Sequence, residues 1–206
     1  MGLRFDIHLH TSRYSKCSKM DANRLVKQAV KMGLDGVVIT EHHYIWRQHE
    51  LQELVEKSNY PGFLLLAGFE YSSSQGDVLV YGLEPEQAEE FVPGQPPEEV
   101  VARVKDLGGA CVAAHPTRAG MSFDERILTL PLDAMEVRSV NLLEHEQRIA
   151  INLSKDTKIP AVTCSDAHRI EDVGCFATEF LDTITTIADL KESLERGRFR
   201  PTNGIV

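Results

Sequence analysis

An α/β fold, with its reactive side chains gathered at one mouth of a closed barrel, is what this sequence predicts, and three observations predict it. Apolar runs of strand length alternate with helix-period segments along all 206 residues, the pattern of a parallel α/β protein. Successive strand-like runs end in His, Glu or Asp. No internal repeat or Gly/Ser linker divides the chain, so residues 1–206 read as a single domain, a length at which one core buries most of its surface. A barrel brings the C-terminal ends of parallel strands to one mouth, whereas an open sheet spreads them along an edge.

The candidate strands cover residues 3–9, 36–40, 63–71, 110–115, 134–139, 161–165 and 176–181, and a further pair, 77–81 after Glu70, reads as a short antiparallel excursion. Between them lie helical patterns. Asp21 can cap one whose Leu25, Ala29 and Met32 share a face and which Gly33 ends. Residues 98–107 put Val100, Val104 and Leu107 on one stripe, and residues 144–158 carry Ile149 and Leu153 one turn apart. Ile187, Leu190 and Leu194 line the last helix, which stops at Gly197. Pro93, Pro96 and Pro97 mark a loop before a helix.

Composition narrows the function classes. Apolar residues make up 42% and charged residues 26%, with a net charge of −9, which argues against a sequence-independent nucleic-acid binder that needs a basic face. A short or end-bound oligonucleotide is still compatible, because a local cationic rim can outweigh the net field. The longest apolar stretch, near Phe63 to Phe69, is far shorter than the ~20 residues a membrane span needs. Arg4 and Asp6 precede any apolar run, unlike a secretory signal. Cys17, Cys111, Cys164 and Cys175 show no paired spacing, and Cys111 and Cys164 sit in apolar runs as buried free thiols do; a cytoplasmic setting fits.

The chemistry lies at the strand ends: His8-Leu9-His10, Thr40-Glu41-His42-His43, Gly68-Phe69-Glu70, Ala114-His115-Pro116, Glu136, and Ser165-Asp166-Ala167-His168. Residues i and i+2 of a strand face the same side, so His8 and His10 can reach one ion, and the spacing recurs at Asp166 and His168. Imidazoles and carboxylates without thiolate suit zinc, manganese or iron, and a carboxylate such as Glu70 can bridge two ions. Any one of these residues alone has an ordinary explanation: a hydrogen-bonded His, a solvated strand-end Glu, an Asp capping a helix. Six strand ends carrying such residues together point to a shared metal site formed by His8, His10, His42, Glu70, His115, Glu136, Asp166 and His168. His49 and His145 read as surface residues of helical segments, and His43 stays open.

These motifs resemble the polymerase and histidinol phosphatase (PHP) family over essentially the whole chain. Residues 5–11, Phe-Asp-Ile-His-Leu-His-Thr, resemble its opening motif, and Ile39-Thr40-Glu41-His42 its second, with Glu41 where Asp is usual. Gly68-Phe69-Glu70, Ala114-His115-Pro116 and Ser165-Asp166-Ala167-His168 resemble its later motifs, and residues 197–201 the tail of small stand-alone members. The resemblance implies a distorted, TIM-like seven-stranded (β/α) barrel holding two or three divalent ions. By that analogy His8, His10, Glu70 and Asp166 hold one ion, Glu70, His115 and Glu136 a second, and His42 and His168 contribute to a third. Lys16 stands where many members carry an acidic ligand, so the third ion loses a carboxylate and Lys16 can instead touch a substrate phosphate.

The function expected from residues and resemblance together is metal-dependent phosphoester hydrolysis of a small phosphate ester, a nucleotide or an oligonucleotide end, with no membrane and no long duplex as partner. His42, Asp166 and His168 are the catalytic candidates, with His42 or His168 protonating the leaving group if the third ion is absent. Arg118, Arg138, Lys16 and Arg13 are the candidates for binding phosphate, which an Arg fork holds bidentately. Two rivals share the fold-level evidence. A metal-dependent amidohydrolase would often carry a carbamylated lysine, and no strand-end Lys occurs. A non-catalytic, metal-stabilised regulatory module would show eroded ligands, and Lys16 is the one position that looks eroded.

Overall fold

The computed structural model describes residues 2–202. In chain order the elements are β1 (Leu3–Asp6), α1 (Ala22–Lys31), β2 (Gly36–His42), α2 (Gln48–Ser58), β3 (Leu64–Ser72), β4 (Asp77–Tyr81), α3 (Pro85–Ala88), α4 (Pro97–Asp106), β5 (Ala110–Ala114), β6 (Ala134–Arg138), α5 (Glu144–Thr157), β7 (Ala161–Thr163), β8 (Thr178–Phe180), α6 (Ile187–Glu195) and β9 (Phe199–Pro201). They form one nine-stranded sheet in the order β7-β6-β5-β4-β3-β2-β1-β8-β9. The sheet curls into a nearly closed barrel. Its seam is joined by a parallel bridge between Leu9 and Ala167 and by threonines, with Thr163 Oγ1 donating to the Ala177 carbonyl and Thr178 Oγ1 to the Thr163 carbonyl.

The strand directions correct one expectation. β1, β2 and β3 run parallel, as do β5, β6 and β7, but β4 pairs antiparallel with β3 and β5, and β8 antiparallel with β1. The run at 176–181, read as the seventh parallel strand, therefore turns back. Parallel strands need a crossover connection, most often a helix, and between β7 and β8 the chain instead passes over the mouth through one short 3₁₀ turn, Ile170–Asp172. Regular pairing of β1 also stops at Asp6 instead of residue 9, beyond which the chain still hydrogen-bonds through His10 N to the Ala167 carbonyl at 2.9 Å.

Alternation along the strands sorts the core into two layers. Val37, Ile39, Val78, Val80, Cys111 and Ala113 face the helices and pack with Leu25 of α1, Leu51 and Leu54 of α2, and Val100 of α4. Val38, Leu79, Tyr81, Val112 and Ala114 face the barrel interior, where Leu190 and Leu194 of α6 also pack. Asp21 caps α1 through its side chain, which accepts from Asn23 N at 3.0 Å. α5 differs from its sequence pattern: Ile149 is 54% exposed, and Glu146, Ala150 and Ser154 are the buried stripe. Small side chains on that stripe let the helix lie close on β6.

The approach of β3 to β4 shows how tightly the barrel wall is packed. A Cβ on Gly68 would stand 2.5 Å from the Val80 carbonyl oxygen and 2.8 Å from the Tyr81 ring. Tyr81 cannot yield easily, because its hydroxyl donates to the Ile7 carbonyl at 2.8 Å in the buried interior. Gly68→Ala is expected to cost ~1–3 kcal/mol as an overpacking substitution. Calorimetry should then show the melting temperature lowered by roughly 2–10 °C, and an unchanged Tm would show that β4 can move away freely.

Candidate metal centre

All eight side chains expected as ligands come together at the C-terminal mouth. His8 and His10 follow β1, His42 ends β2, Glu70 lies near the end of β3, His115 follows β5, and Asp166 and His168 follow β7. His8, His10, Glu70, His115, Glu136 and Asp166 are buried, and His42 and His168 are half-buried at the rim. His8 Nε2 and His10 Nε2 stand 3.1 Å apart. Glu70 is the hub: Oε1 lies 3.0 Å from His115 Nε2 and 3.5 Å from His8 Nε2, and Oε2 lies 3.3 Å from His10 Nε2 and 3.0 Å from His42 Nδ1. Asp166 Oδ1 is 3.3 Å from His8 Nε2 and 3.4 Å from His10 Nε2.

The backbone is bent to make this possible. His115 and Asp166 have φ of 26° and 51°, left-handed values that are uncommon for residues with a Cβ, and such strain collects where surroundings over-determine a functional conformation. Asn141 holds Asp166 there, its amide donating to the Asp166 carbonyl and to Oδ2, both at 2.8 Å. The loop after His115 is held by Glu146, which accepts from Ala119 N at 2.7 Å.

Glu136 is placed differently from the ligand role expected of it. Its Oε1 is 3.2 Å from His8 Nδ1 and accepts from Cys164 Sγ, while Oε2 accepts from His115 N at 2.6 Å. Both oxygens thus face the backs of two candidate ligands, on the side of the His8 ring opposite Nε2. A residue absent from the sequence reading also stands beside His115. Asp77, at the start of β4, is buried, its Oδ2 has no hydrogen-bond partner, and that oxygen lies 3.8 Å from His115 Nε2. Burial, with Glu70 nearby, pushes its carboxyl up to about 6. The excursion 77–81 was legible in the sequence, but an Asp opening a strand carries no ligand signal without its register opposite His115.

The donor set fits divalent cations. His8, His10 and Glu70, His8, His115 and Asp166, Glu70, Asp77 and His115, His10, His42 and His168, and His8, Glu136 and Cys164 each offer ligand atoms within 4.8 Å of one another. Unpaired, buried Asp77 Oδ2 and the opposed Nε2 atoms of His8 and His10 are what a shared cation would satisfy.

The phosphate-binding candidates divide. Arg118 Nη1 reaches to 4.0 Å of Asp166 Oδ2, at the edge of the cluster. Arg138, on β6 two residues beyond Glu136, is half-buried. Lys16 is exposed on the first loop. Arg13 is turned away from the cluster, pairing with Glu50 at 2.9 Å and lying over the Trp46 ring at 5.0 Å. His43 donates nothing to the cluster; its Nε2 accepts from Ser72 N at 3.4 Å. His49 and His145 are exposed, and all four cysteines are free, Cys111 and Cys164 buried.

Comparison with known proteins agrees with this fold. Residues 144–199, from α5 through the Asp166 and His168 segment to β9, match the family model described as PHP-associated. An uncharacterised protein of Methanocaldococcus jannaschii is 28% identical over 146 residues, which cover 66% of this chain and 81% of that one. PsfC from Pseudomonas syringae superposes with a TM-score of 0.74 at 21% identity, covering 100% of this chain and 93% of its own. A two-domain protein from Bacteroides vulgatus containing a predicted PHP-like metal-dependent phosphoesterase gives 0.71 at 17% identity, covering 97% of this chain and 64% of that one. A lesion-specific endonuclease from Pyrococcus furiosus gives 0.71 at 16% identity, covering 98% and 58%. The whole chain therefore shares the fold of PHP-like proteins, and its 144–199 segment carries the match to the PHP-associated model.

Proposed function

We propose that this chain is a metal-dependent phosphoesterase acting on a small phosphate ester, a nucleotide or an oligonucleotide end. The observation that carries the reading is the buried cluster of His8, His10, Glu70, His115 and Asp166, open at the rim beside Arg118. His8, His10, Glu70 and Asp166 would hold one ion, Glu70, His115 and Asp77 a second, and His42 and His168 would contribute to a third with His10. Divalent ions in such a site lower the pKa of bound water and neutralise charge on the phosphate oxygens.

The side chains supply the rest. Arg118, half-exposed and directed at Asp166, can orient a phosphate oxygen with a planar fork of donors. Where the third ion is absent, His42 and His168, half-buried at the rim and within reach of solvent, can instead hand a proton to the leaving oxygen. Burial, with His10 beside it, lowers the His168 imidazole, which favours the neutral form that a metal ligand needs over the protonated form of an acid. Asn141 braces Asp166 in its strained conformation with two hydrogen bonds. A net charge of −9 and a site at the centre of one barrel favour small or end-bound substrates over long duplexes.

The test is to count metals in protein purified without chelators and to measure turnover of p-nitrophenyl phosphate and its bis ester with zinc or manganese. Two or more ions per chain and hydrolysis lost by ~10³-fold or more in His10→Ala and Asp166→Ala are expected. Metal without phosphate turnover would leave the ligand assignment and defeat the phosphoesterase reading.

A further inference from the structure

The loop between His10 and α1 is anchored on a carboxylate for which the cluster has no direct use. Glu41, on β2, is fully buried, yet it belongs to none of the side-chain groups that could hold a metal. Its Oε1 accepts from Trp46 Nε1 at 3.0 Å and from the Thr11 hydroxyl, and its Oε2 accepts from Thr11 N at 3.1 Å and from the Ser15 hydroxyl at 2.5 Å. Every neighbour is a donor. Ser15 has one hydroxyl hydrogen, and that hydrogen goes to Glu41.

Ser15 Oγ can then only accept. It lies 3.4 Å from His10 Nδ1 and 3.2 Å from the backbone N of His42. A hydrogen bond to His10 therefore requires the hydrogen on Nδ1. The other nitrogen, Nε2, is left facing Glu70 Oε2 at 3.3 Å, Asp166 Oδ1 at 3.4 Å and His8 Nε2 at 3.1 Å. We propose that Glu41, acting through Ser15, is a positioning residue that sets the His10 tautomer, so that the Nε2 lone pair points at the metal. The same hydroxyl receives the His42 amide, so one relay aligns two candidate ligands, one after β1 and one at the end of β2. This inference rests on the metal-site reading above. It parallels His8, where Glu136 occupies Nδ1, but it comes from a different strand and passes through a serine.

Ser15→Ala removes the link and leaves the loop tied to Glu41 through Thr11 and Trp46. The measurement is the affinity for zinc alone, by competition with a chromophoric chelator, together with imidazole ¹⁵N shifts of the zinc-loaded protein. Ser15→Ala is expected to weaken zinc binding about 10–100-fold, the usual effect of losing an outer partner of a ligand histidine, and to give mixed Nδ1 and Nε2 signals for His10. Ser15→Thr, which keeps the hydroxyl, is expected to restore both. Ser12→Ala, which removes a hydroxyl of the same loop bonded to the Met20 carbonyl, is expected to change neither. Wild-type zinc affinity and a single His10 tautomer in Ser15→Ala would overturn the relay while leaving the metal site intact. A folded wild-type protein that binds no zinc would overturn both, and the wild-type titration alone would show it.

Discussion

Glu70→Ala is expected to abolish binding at both central metal positions and to reduce hydrolysis by ~10³-fold or more. One carboxylate meets His8, His10, His42 and His115, and no other carboxylate among the described residues meets as many candidate ligand histidines. Its loss also reaches stability. In metal-free protein, burial pushes the His10 imidazole down, but hydrogen bonds to Asp166 and Glu70 raise it to about 9. His8 is likewise pushed down by burial and carried well above its ordinary value by Asp166, Glu136 and Glu70. Taking away Glu70 leaves these buried imidazolium groups short of a counter-charge, a change that costs ~3–5 kcal/mol. Elemental analysis, turnover and the Tm of chelated protein read the three effects separately. A variant that keeps two ions per chain would sink the bridging role.

The same groups set the pH profile of the metal-free protein. Burial raises the Glu70 carboxyl, but His8 and hydrogen bonds from His10, His115 and His42 bring it well below the usual carboxylate range. Asp166 is lowered in the same way, by His8 and His10 against burial. Carboxylates lowered by folding contribute stability above their unfolded pKa of ~4, and that stability is lost as pH falls through the folded value. His10, raised from 6.5 to about 9, contributes stability that is complete below the unfolded pKa and lost as pH rises through the folded one. The His10 contribution alone is on the order of 3 kcal/mol. Chelated protein should therefore be most stable between about pH 4.5 and 6.5 and weaken toward pH 9. Ligand histidines must be deprotonated to bind metal, so the Tm gained on adding zinc or manganese should grow over that interval. Parallel Tm profiles with and without metal would contradict this.

Much of this was legible in the sequence because strand ends are marked twice, once by the end of an apolar run and again by the residue type that follows. Ala114-His115-Pro116 shows both signals, and the structure puts His115 at the mouth. The antiparallel turn of β8 was not legible, because apolar alternation at 176–181 is the same in either direction; direction depends on whether a helix crosses back, and here a loop does the work. Asp77, Asn141 and Ser15 escaped for a common reason. Each acts through a neighbour far away in sequence, at separations of 38 residues for Asp77 to His115, 25 for Asn141 to Asp166 and 26 for Ser15 to Glu41. Short polar side chains in loops are ordinary turn formers, and nothing local separates those that support a ligand from those that cap a turn.

Glu136 is where spacing and geometry part, and the difference predicts a measurable outcome. On its position in β6 it qualifies as a ligand, and the resemblance implied that it shares an ion with Glu70 and His115. In the structure its oxygens meet His8 Nδ1, Cys164 Sγ and the His115 amide, contacts that favour a positioning role through the two histidines over a ligand role. A positioning role predicts that Glu136→Ala keeps its full complement of metals at saturating concentration but binds them about 10–100-fold more weakly. A ligand role predicts one ion fewer per chain at any concentration. Stability should fall as well, because the variant leaves a buried His8 Nδ1 and the His115 amide without acceptors, at ~1–3 kcal/mol each. Asp77→Ala makes the opposite pairing. Its Oδ2 has no hydrogen-bond partner, so its removal should cost little stability in chelated protein and lower the metal count by one. If Glu136→Ala loses the ion and Asp77→Ala keeps it, the two carboxylates have been assigned the wrong way round, and the second ion sits on the His8 side of His115.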